Sequence, residues 1–230
     1  MMYRSGRKRL PFGIRIIHED NDILVVDKPS GLLTMGTSKE KSRTAYSILT
    51  DYVRKGHAKS QKRIFIVHRL DREASGILIF AKNINAKLRL QKTWDKTEKK
   101  YLAVVHGRLK KKKGTISTYL AENKAHVVYS TPDSKKGKLS HTAYRILNET
   151  KAFSLLEVDL LTGRKHQIRV HLADIGNPIV GDRKYGKEND AKVRLALHGK
   201  SVSFRHPSSG KLLSLETEIP DYFCKPAGNQ

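Results

Sequence analysis

One short loop concentrates more functional groups than a turn requires. Residues 67–76 read Val-His-Arg-Leu-Asp-Arg-Glu-Ala-Ser-Gly and join two predicted strands. Asp71 lies between Arg69 and Arg72, and neighbouring cations favour the ionised form of a carboxyl group. An ionised carboxylate in such a loop can serve as a nucleophile or as a base. The alternative is a turn aspartate in a surface ion pair, and the loop alone does not decide between the two.

Two further segments carry polar groups in patterns that could serve chemistry. His166 and Arg169 are three residues apart in a predicted helix, which places them on one face. This is either the basic outer face of an ordinary amphipathic helix or an arginine aimed at an active-site carboxylate. Tyr101 opens a predicted strand, where it is either an aromatic residue at the edge of the core or a functional phenol.

The sequence lacks the motifs of several other enzyme classes. His166 and His171 are five residues apart, a poor spacing for a shared metal on one helical face. The sequence has no phosphate-binding Gly-x-x-x-x-Gly-Lys-Ser/Thr loop, and Ser75 lacks the Gly-x-Ser-x-Gly setting of a hydrolase nucleophile. The acidic residues form no cluster of the kind that a metal-dependent nuclease needs. We therefore expect no metal site.

The charge of the chain predicts a polyanionic partner. Its 230 residues include 46 Lys and Arg against 22 Asp and Glu, a formal net charge of +24. Nucleic acid is the first candidate, because phosphate contacts release counterions. A membrane surface is disfavoured because no helix shows a strong apolar face opposite a basic one. Solubilising surface charge is the remaining alternative. Two lysine clusters, at residues 110–113 and 135–138, are predicted loop tips that could contact a phosphate backbone.

Compartment and membrane topology follow from composition. No apolar stretch approaches the roughly 18 residues of a spanning helix, so an integral membrane protein is not expected. The basic N-terminus lacks a following apolar region and does not resemble a secretory signal. Cys224 is the single cysteine, so the chain forms no internal disulfide, which fits a cytoplasmic location.

The apolar pattern predicts mostly strands with three helices, an α+β class around a mixed, mostly antiparallel sheet. Helices are expected at 44–55, 84–95 and 165–175, the second with Ile84, Leu88, Gln91 and Trp94 on one side. The predicted strands, each with turn residues around it, are 23–27, 63–68, 76–82, 101–106, 115–120, 126–130, 143–148, 153–161, 193–204 and 212–219. Residues 206–210 are expected to form the turn of a late hairpin.

Five motifs together resemble those of the RluA-type RNA pseudouridine synthases. In chain order they are Asp27-Lys28-Pro29-Ser30-Gly31, His68-Arg69-Leu70-Asp71-Arg72-x-x-Ser75-Gly76, Lys100-Tyr101-x-Ala103-x-Val105-x-Gly107, Gly163-Arg164-x-His166-Gln167-Ile168-Arg169-x-His171-Leu172 and Gly176-Asn177-Pro178-Ile179-x-Gly181-Asp182-x-x-Tyr185-Gly186. The likeness runs from about residue 16 to residue 219. Each motif alone is modest evidence, but five in the right order and spacing are strong.

The resemblance implies an isomerase that converts uridine in ribosomal or transfer RNA to pseudouridine, without metal or organic cofactor. Asp71 matches the catalytic aspartate and Arg169 the basic residue that pairs with it. Tyr101 matches the tyrosine that stacks on the target base. Arg69 matches the arginine that replaces the flipped nucleotide in the RNA stack.

Other positions of the same motifs are expected to contact the substrate. By position, Leu70 and Ile168 would be apolar walls of the site. The remaining expected substrate contacts are His68, Arg72, Arg164 and His166.

The expected organisation is a basic flexible arm at 1–13, one catalytic domain at 14–223 with an active-site cleft, and a tail at 224–230. Many relatives carry an N-terminal S4-like RNA-binding domain, which is not expected here. The protein is expected to be a monomer. Glu73-Ala74 stands where relatives often have a threonine, with little expected effect. The alternative function is a non-catalytic RNA-binding or ribosome-assembly protein on the same fold.

Overall fold

The computed structural model describes residues 8–38, 40, 42–57, 59–187 and 193–223. The chain divides into two compact units. Unit 1 comprises 1–97 with 201–217, and unit 2 comprises 98–200 with 218–230. Among the helices of the described ranges, none has the length and hydropathy needed to cross a membrane.

The described elements include eleven strands and three α-helices. The strands are β1 (Arg15–Glu19), β2 (Ile23–Lys28), β3 (Phe65–Ile66), β4 (Ser75–Ala81), β5 (Glu98–His106), β6 (Lys113–Glu122), β7 (Val128–Thr131), β8 (Lys138–Glu149), β9 (Phe153–Leu160), β10 (Leu197–Arg205) and β11 (Leu212–Glu216). The helices are α1 (Ala45–Arg54), α2 (Ile84–Lys92) and α3 (Gln167–Asp174).

Unit 1 is built on an antiparallel ladder in which β2 pairs with β1 and β4, and β3 pairs with β4. Every residue of β2 and β4 is buried, because the apolar runs of both strands are covered on both faces. The core joins Ile23, Val25, Ile77 and Ile79 to Leu90 of α2. From residue 201 onward, β10 forms a hairpin with β11, so the predicted late hairpin is confirmed.

Unit 2 contains an antiparallel ladder in the order β5-β9-β8-β6-β7. Helix α3 packs on β6, β7 and β8, with Val170 against Leu120 and Val128. The two ladders are antiparallel, and an isolated bridge between Leu33 and Thr44 is parallel. The predicted α+β class, with a mixed and mostly antiparallel sheet and three helices, is confirmed.

The predicted helices exist, but two details of the prediction are wrong. Helix α2 ends at Lys92, and its buried residues are Ala86 and Leu90, while Ile84 and Leu88 are exposed. Helix α3 begins at Gln167, because His166 has a left-handed backbone (φ 53°) and therefore precedes the helix.

The predicted strands differ from those of the structure mainly in where they begin and end. Strand β1 was not predicted, β3 covers two residues of the predicted 63–68, and β10 begins at residue 197 instead of 193. Strand β8 begins at 138, five residues before the predicted start. Of the predicted arm at 1–13, residues 1–7 lie outside the described residues, and Pro11–Gly13 forms a short 3-10 turn. The predicted tail at 224–230 also lies outside them.

Candidate active site

The Asp71 loop, residues 67–74, connects β3 to β4 in unit 1. Asp71 is half-buried, and Leu70 before it is 7% exposed. The hydroxyl of Thr34 holds the loop through two hydrogen bonds to the backbone of Leu70. It donates to the Leu70 carbonyl at 2.9 Å and accepts the Leu70 N–H at 3.2 Å. The backbone next to Asp71 is therefore fixed by a buried contact 36 residues away in the sequence.

Lys28 fixes the other side of the loop. Its side chain is fully buried at the end of β2. The three N–H groups of the ammonium are shared among four carbonyl oxygens within hydrogen-bond distance: Leu32 at 2.8 Å, Pro29 at 2.9 Å, Ala74 at 2.7 Å and Arg72 at 3.3 Å. A buried lysine is tolerated only when its charge is well solvated by the protein, and four carbonyls supply that solvation. Lys28 thereby ties residues 72–74 to residues 29–32.

The two arginines beside Asp71 are both exposed. The Arg72 Nε donates to the Gly31 carbonyl at 3.1 Å, and its guanidinium lies 3.6 Å from the Glu40 carboxylate. Arg69 reaches the sulfur of Met35 at 3.8 Å, a weak contact that leaves its guanidinium at the surface. An exposed cation on a fixed loop is available to a phosphate or a base.

His68 packs against its own unit. Its ring stacks on Trp94 with centroids 4.4 Å apart, and its Nε2 accepts the backbone N–H of Ile79 at 3.1 Å. These contacts give His68 a clear role in anchoring the loop to β4. Its predicted contact with substrate stays a prediction.

The second predicted site segment forms the start of α3 in unit 2. The buried side chain of Gln167 organises this turn. Its carbonyl oxygen accepts from the Arg164 N–H at 3.0 Å and the Thr162 hydroxyl at 2.8 Å. Its amide donates to the His141 carbonyl and the Thr142 hydroxyl, each at 2.9 Å. Arg164 itself is exposed, whereas Ile168 in the first turn of α3 is 4% exposed.

Arg169 is buried in a bidentate ion pair with Asp182. Its Nε and one terminal nitrogen each donate to a carboxylate oxygen at 2.8 Å. The side chains are 4% and 0% exposed. Burial alone would raise the pKa of Asp182. Hydrogen bonds and charge from Arg169, with the backbone N–H groups of Lys184 and Tyr185, outweigh burial and lower that pKa.

Tyr185 links Arg169 to His166. The guanidinium carbon of Arg169 lies 5.3 Å from the centre of the Tyr185 ring. The phenol oxygen of Tyr185 is 2.8 Å from His166 Nδ1 and accepts the Val128 N–H at 3.1 Å. The expected shared helical face of His166 and Arg169 is therefore wrong, since His166 precedes α3, but one tyrosine contacts both residues.

Tyr101 lies on β5, where it is half-buried opposite Val158 of β9. Tyr101, Arg164, His166, Ile168 and Arg169 belong to unit 2. The other predicted site residues belong to unit 1. Within unit 1 the structure brings together His68, Arg69, Leu70, Asp71 and Arg72. The predicted pairing of Asp71 with Arg169 and the roles of the individual residues stay predictions.

Sequence reasoning missed Asp182, Tyr185 and Lys28 as parts of the site's framework. All three stand in the quoted motifs, so the signal was present, but no role was derived for them. Among the described residues, Asp20, Asp22 and His206 form a group of possible metal ligands within 4.8 Å of one another. Hydrogen bonds account for this group, because Asp20 accepts the backbone N–H groups of Asp22 and Ile23 and contacts His18 and His206.

Known proteins resemble this chain over most of its length. A family model described as RNA pseudouridylate synthase matches residues 22–174. An uncharacterized RNA pseudouridine synthase of Aquifex aeolicus is 37% identical over 228 residues, which cover 91% of this chain and 71% of that protein. Ribosomal large subunit pseudouridine synthase D of Nitrosomonas europaea is 35% identical over 221 residues, 90% of this chain and 62% of that protein.

A solved structure supports the same fold. The protein titled Human RNA Pseudouridylate Synthase Domain Containing 4 matches with a TM-score of 0.77 and 22% identity, over 91% of this chain and 90% of that one. The family model and the relatives of 35–37% identity define the class as RNA-modifying isomerases. The chain belongs to the RNA pseudouridylate synthase family, and the family and activity predicted from the motifs are confirmed.

Proposed function

We propose that this enzyme isomerises uridines of large-subunit ribosomal RNA, with Asp71 as its catalytic residue. Relatives named ribosomal large subunit pseudouridine synthases, about 35% identical over 90% of this chain, support that RNA. One structural observation carries the role of Asp71. Its loop presents a half-buried carboxylate between two exposed arginines, on a backbone held by Lys28 and Thr34.

The reaction requires the uridine to leave the RNA stack, because a stacked base can be neither attacked nor rotated. Arg69 is exposed at the loop and fills the vacated space in this proposal. Asp71 acts on the sugar or the base. An adduct at C1′ or C6 and removal of a C2′ proton are both open to it.

Tyr101 holds the detached uracil and takes part in proton exchange at C5. Arg169 is the basic residue that the motif match assigns as the partner of the catalytic aspartate. In this role Arg169 benefits from its bidentate contact with Asp182, because a guanidinium held at two points keeps one orientation. Arg72, Arg164 and His166 contact the substrate, and Leu70 and Ile168 form apolar walls.

The cellular setting is part of the same proposal. An RNA substrate and a single cysteine fit the cytoplasm, and the enzyme acts as a monomer without cofactor. Transfer RNA is the alternative substrate class, and the assay below separates the two.

The test follows tritium release from RNA labelled at C5 of uridine, because formation of pseudouridine frees the C5 hydrogen. Purified wild type, Asp71→Asn and the exposed control Asp95→Asn are assayed on ribosomal and transfer RNA separately. We expect release from ribosomal RNA by the wild type and the control. Asp71→Asn should bind RNA normally and release at least 1,000-fold less tritium, roughly the loss of an essential catalytic group.

Three outcomes would contradict parts of the proposal. Release from transfer RNA alone would replace the substrate class. Loss of RNA binding together with activity in Asp71→Asn would make Asp71 structural. Tight binding without release by the wild type would favour the RNA-binding or ribosome-assembly alternative.

A further inference from the structure

A basic cavity lies at the C-terminal end of α1 in unit 1. Its volume is about 760 Å³, and its walls come from α1, the turn between β1 and β2, and residues 62–63. Two carboxylates and five cations line it: Glu19 and Asp51, with Lys8, Lys55, Lys62, Arg63 and Lys82. This excess of positive charge in a concave surface favours an anionic ligand.

The carboxylate of Glu19 is already neutralised within the cavity wall. It accepts from the Lys82 ammonium at 3.0 Å and from the Tyr52 phenol at 2.8 Å. Burial of Tyr52, reinforced by Glu19, raises the pKa of that phenol to about 12, so it remains a neutral donor. Asp51 is then the one carboxylate of the lining that offsets the four other cations.

Aromatic rings position two of these cations without cancelling their charge. The Lys8 ammonium lies 4.7 Å from the centre of the Tyr52 ring, and the Arg63 guanidinium lies 5.0 Å from the centre of Phe65. A ring attracts a cation through its quadrupole but carries no net charge. Lys8 and Arg63 are therefore held in place and still available to an anion.

Helix α1 connects this cavity to the Asp71 loop. At its first turn, the N–H groups of Ala45 and Tyr46 donate to the carbonyls of Leu33 and Thr34. Thr34 is the residue that holds Leu70, so this end of α1 adjoins the loop. The helix has ten residues, a length of about 15 Å. A stacked RNA strand covers that distance in about four or five nucleotides.

We propose that the cavity binds backbone phosphates of the RNA substrate about four or five nucleotides from the target uridine. The inference rests on the proposed function, since it assumes a uridine at Asp71. Its cations come from four separate segments of unit 1, and its volume far exceeds that of one phosphate group. A strand with successive phosphates matches both features, whereas a single inorganic phosphate matches neither.

The test removes two exposed lysines of the cavity and compares them with two exposed lysines elsewhere in unit 1. The variant is Lys55→Gln with Lys62→Gln, and the matched control is Lys92→Gln with Lys96→Gln. The salt dependence of RNA binding should fall in slope by about 1.4 for the cavity variant, because a single-strand phosphate contact contributes about 0.7. At 0.1 M salt this corresponds to a KM about 25-fold higher with kcat unchanged.

The second part of the experiment varies the length of the RNA substrate. The difference between cavity variant and control should disappear when the RNA is shortened to two nucleotides on the side that occupies the cavity. Equal salt slopes and KM values of the cavity variant and the control on long RNA would overturn the proposal. A difference in these values that persists on the shortest RNA would also overturn it. Binding slopes need no turnover, so a wild type without tritium release would refute the proposed function separately.

Discussion

Replacing Asp182 by asparagine should strongly destabilise the protein. The substitution keeps the shape of the side chain but removes the negative charge that binds Arg169 through two hydrogen bonds. The new amide group would also face donors, because Asp182 accepts the backbone N–H groups of Lys184 and Tyr185 as well. Removing one partner of a buried ion pair costs about 3–5 kcal/mol.

Urea and thermal unfolding measure this loss directly. In a chain of this size, 1 kcal/mol shifts the Tm by about 2–4 °C, so we expect a decrease of roughly 6–20 °C. The control Asp95→Asn changes an exposed carboxylate and should stay within about 0.5 kcal/mol of the wild type. An unchanged urea m-value would show that the native and unfolded states keep their compactness.

The pH dependence provides an independent check on the same pair. The pKa of Asp182 in the folded protein lies below its usual value of 3.8. Its contribution to stability is therefore complete above that value and is lost as the pH falls through the lower folded pKa. The difference in free energy of unfolding between wild type and Asp182→Asn should be constant near neutral pH and should narrow below pH 3.8.

A variant Asp182→Asn within 1 kcal/mol of the wild type would refute the structural reasoning. The double variant Asp182→Asn with Arg169→Gln removes both charges and should recover part of the lost stability. Its turnover should stay low, because the proposed function needs the guanidinium itself. Recovered stability with normal turnover would remove Arg169 from the mechanism and leave it a structural role.

Two further substitutions test how the site is held. Lys28→Met removes four hydrogen bonds to carbonyl oxygens and leaves buried acceptors unsatisfied, so the free energy of unfolding should fall by about 3–5 kcal/mol in urea titrations. A loss below 1 kcal/mol would contradict the role assigned to Lys28. Gly181→Ala would place a Cβ 2.1 Å from the Arg194 carbonyl oxygen, at a backbone φ of +76°. We expect a loss of more than about 3 kcal/mol, visible as a lower Tm or absence of soluble protein, and a native-like Tm would contradict the close approach.

Local signals were sufficient where an element is stabilised by its own sequence. Helix α1 was predicted at 44–55 and spans Ala45–Arg54, because Thr44 and Ser47 form a capping box and Lys55 with Gly56 adopts left-handed backbone at the end. Helix α2 was also predicted, but the residues named for its shared side did not include the buried Ala86 and Leu90. A periodic pattern shows which residues share a side, and only the neighbouring strands decide which side is covered.

The framework of the site could not be predicted, because its contacts join distant parts of the chain. Lys28 is 44 and 46 residues from the carbonyls of Arg72 and Ala74 that it binds. Asp182 is 13 residues from Arg169, beyond the reach of helix periodicity. A lysine or an aspartate in a polar sequence indicates a surface position, and burial is visible only in the fold. The motifs thus predicted residues for the reaction, and the structure shows the contacts that hold the segments carrying them.

The distribution of charge supports an extended contact with RNA. Lys113 pairs with Arg145 at one end of the β6–β8 ladder, and Lys138 pairs with Leu120 at the other. Seven residue steps along β6 separate these pairs by about 24 Å. The two predicted lysine clusters therefore lie too far apart to contact the same phosphate. This spread of charge favours affinity for a long polyanion over contact with a single phosphate.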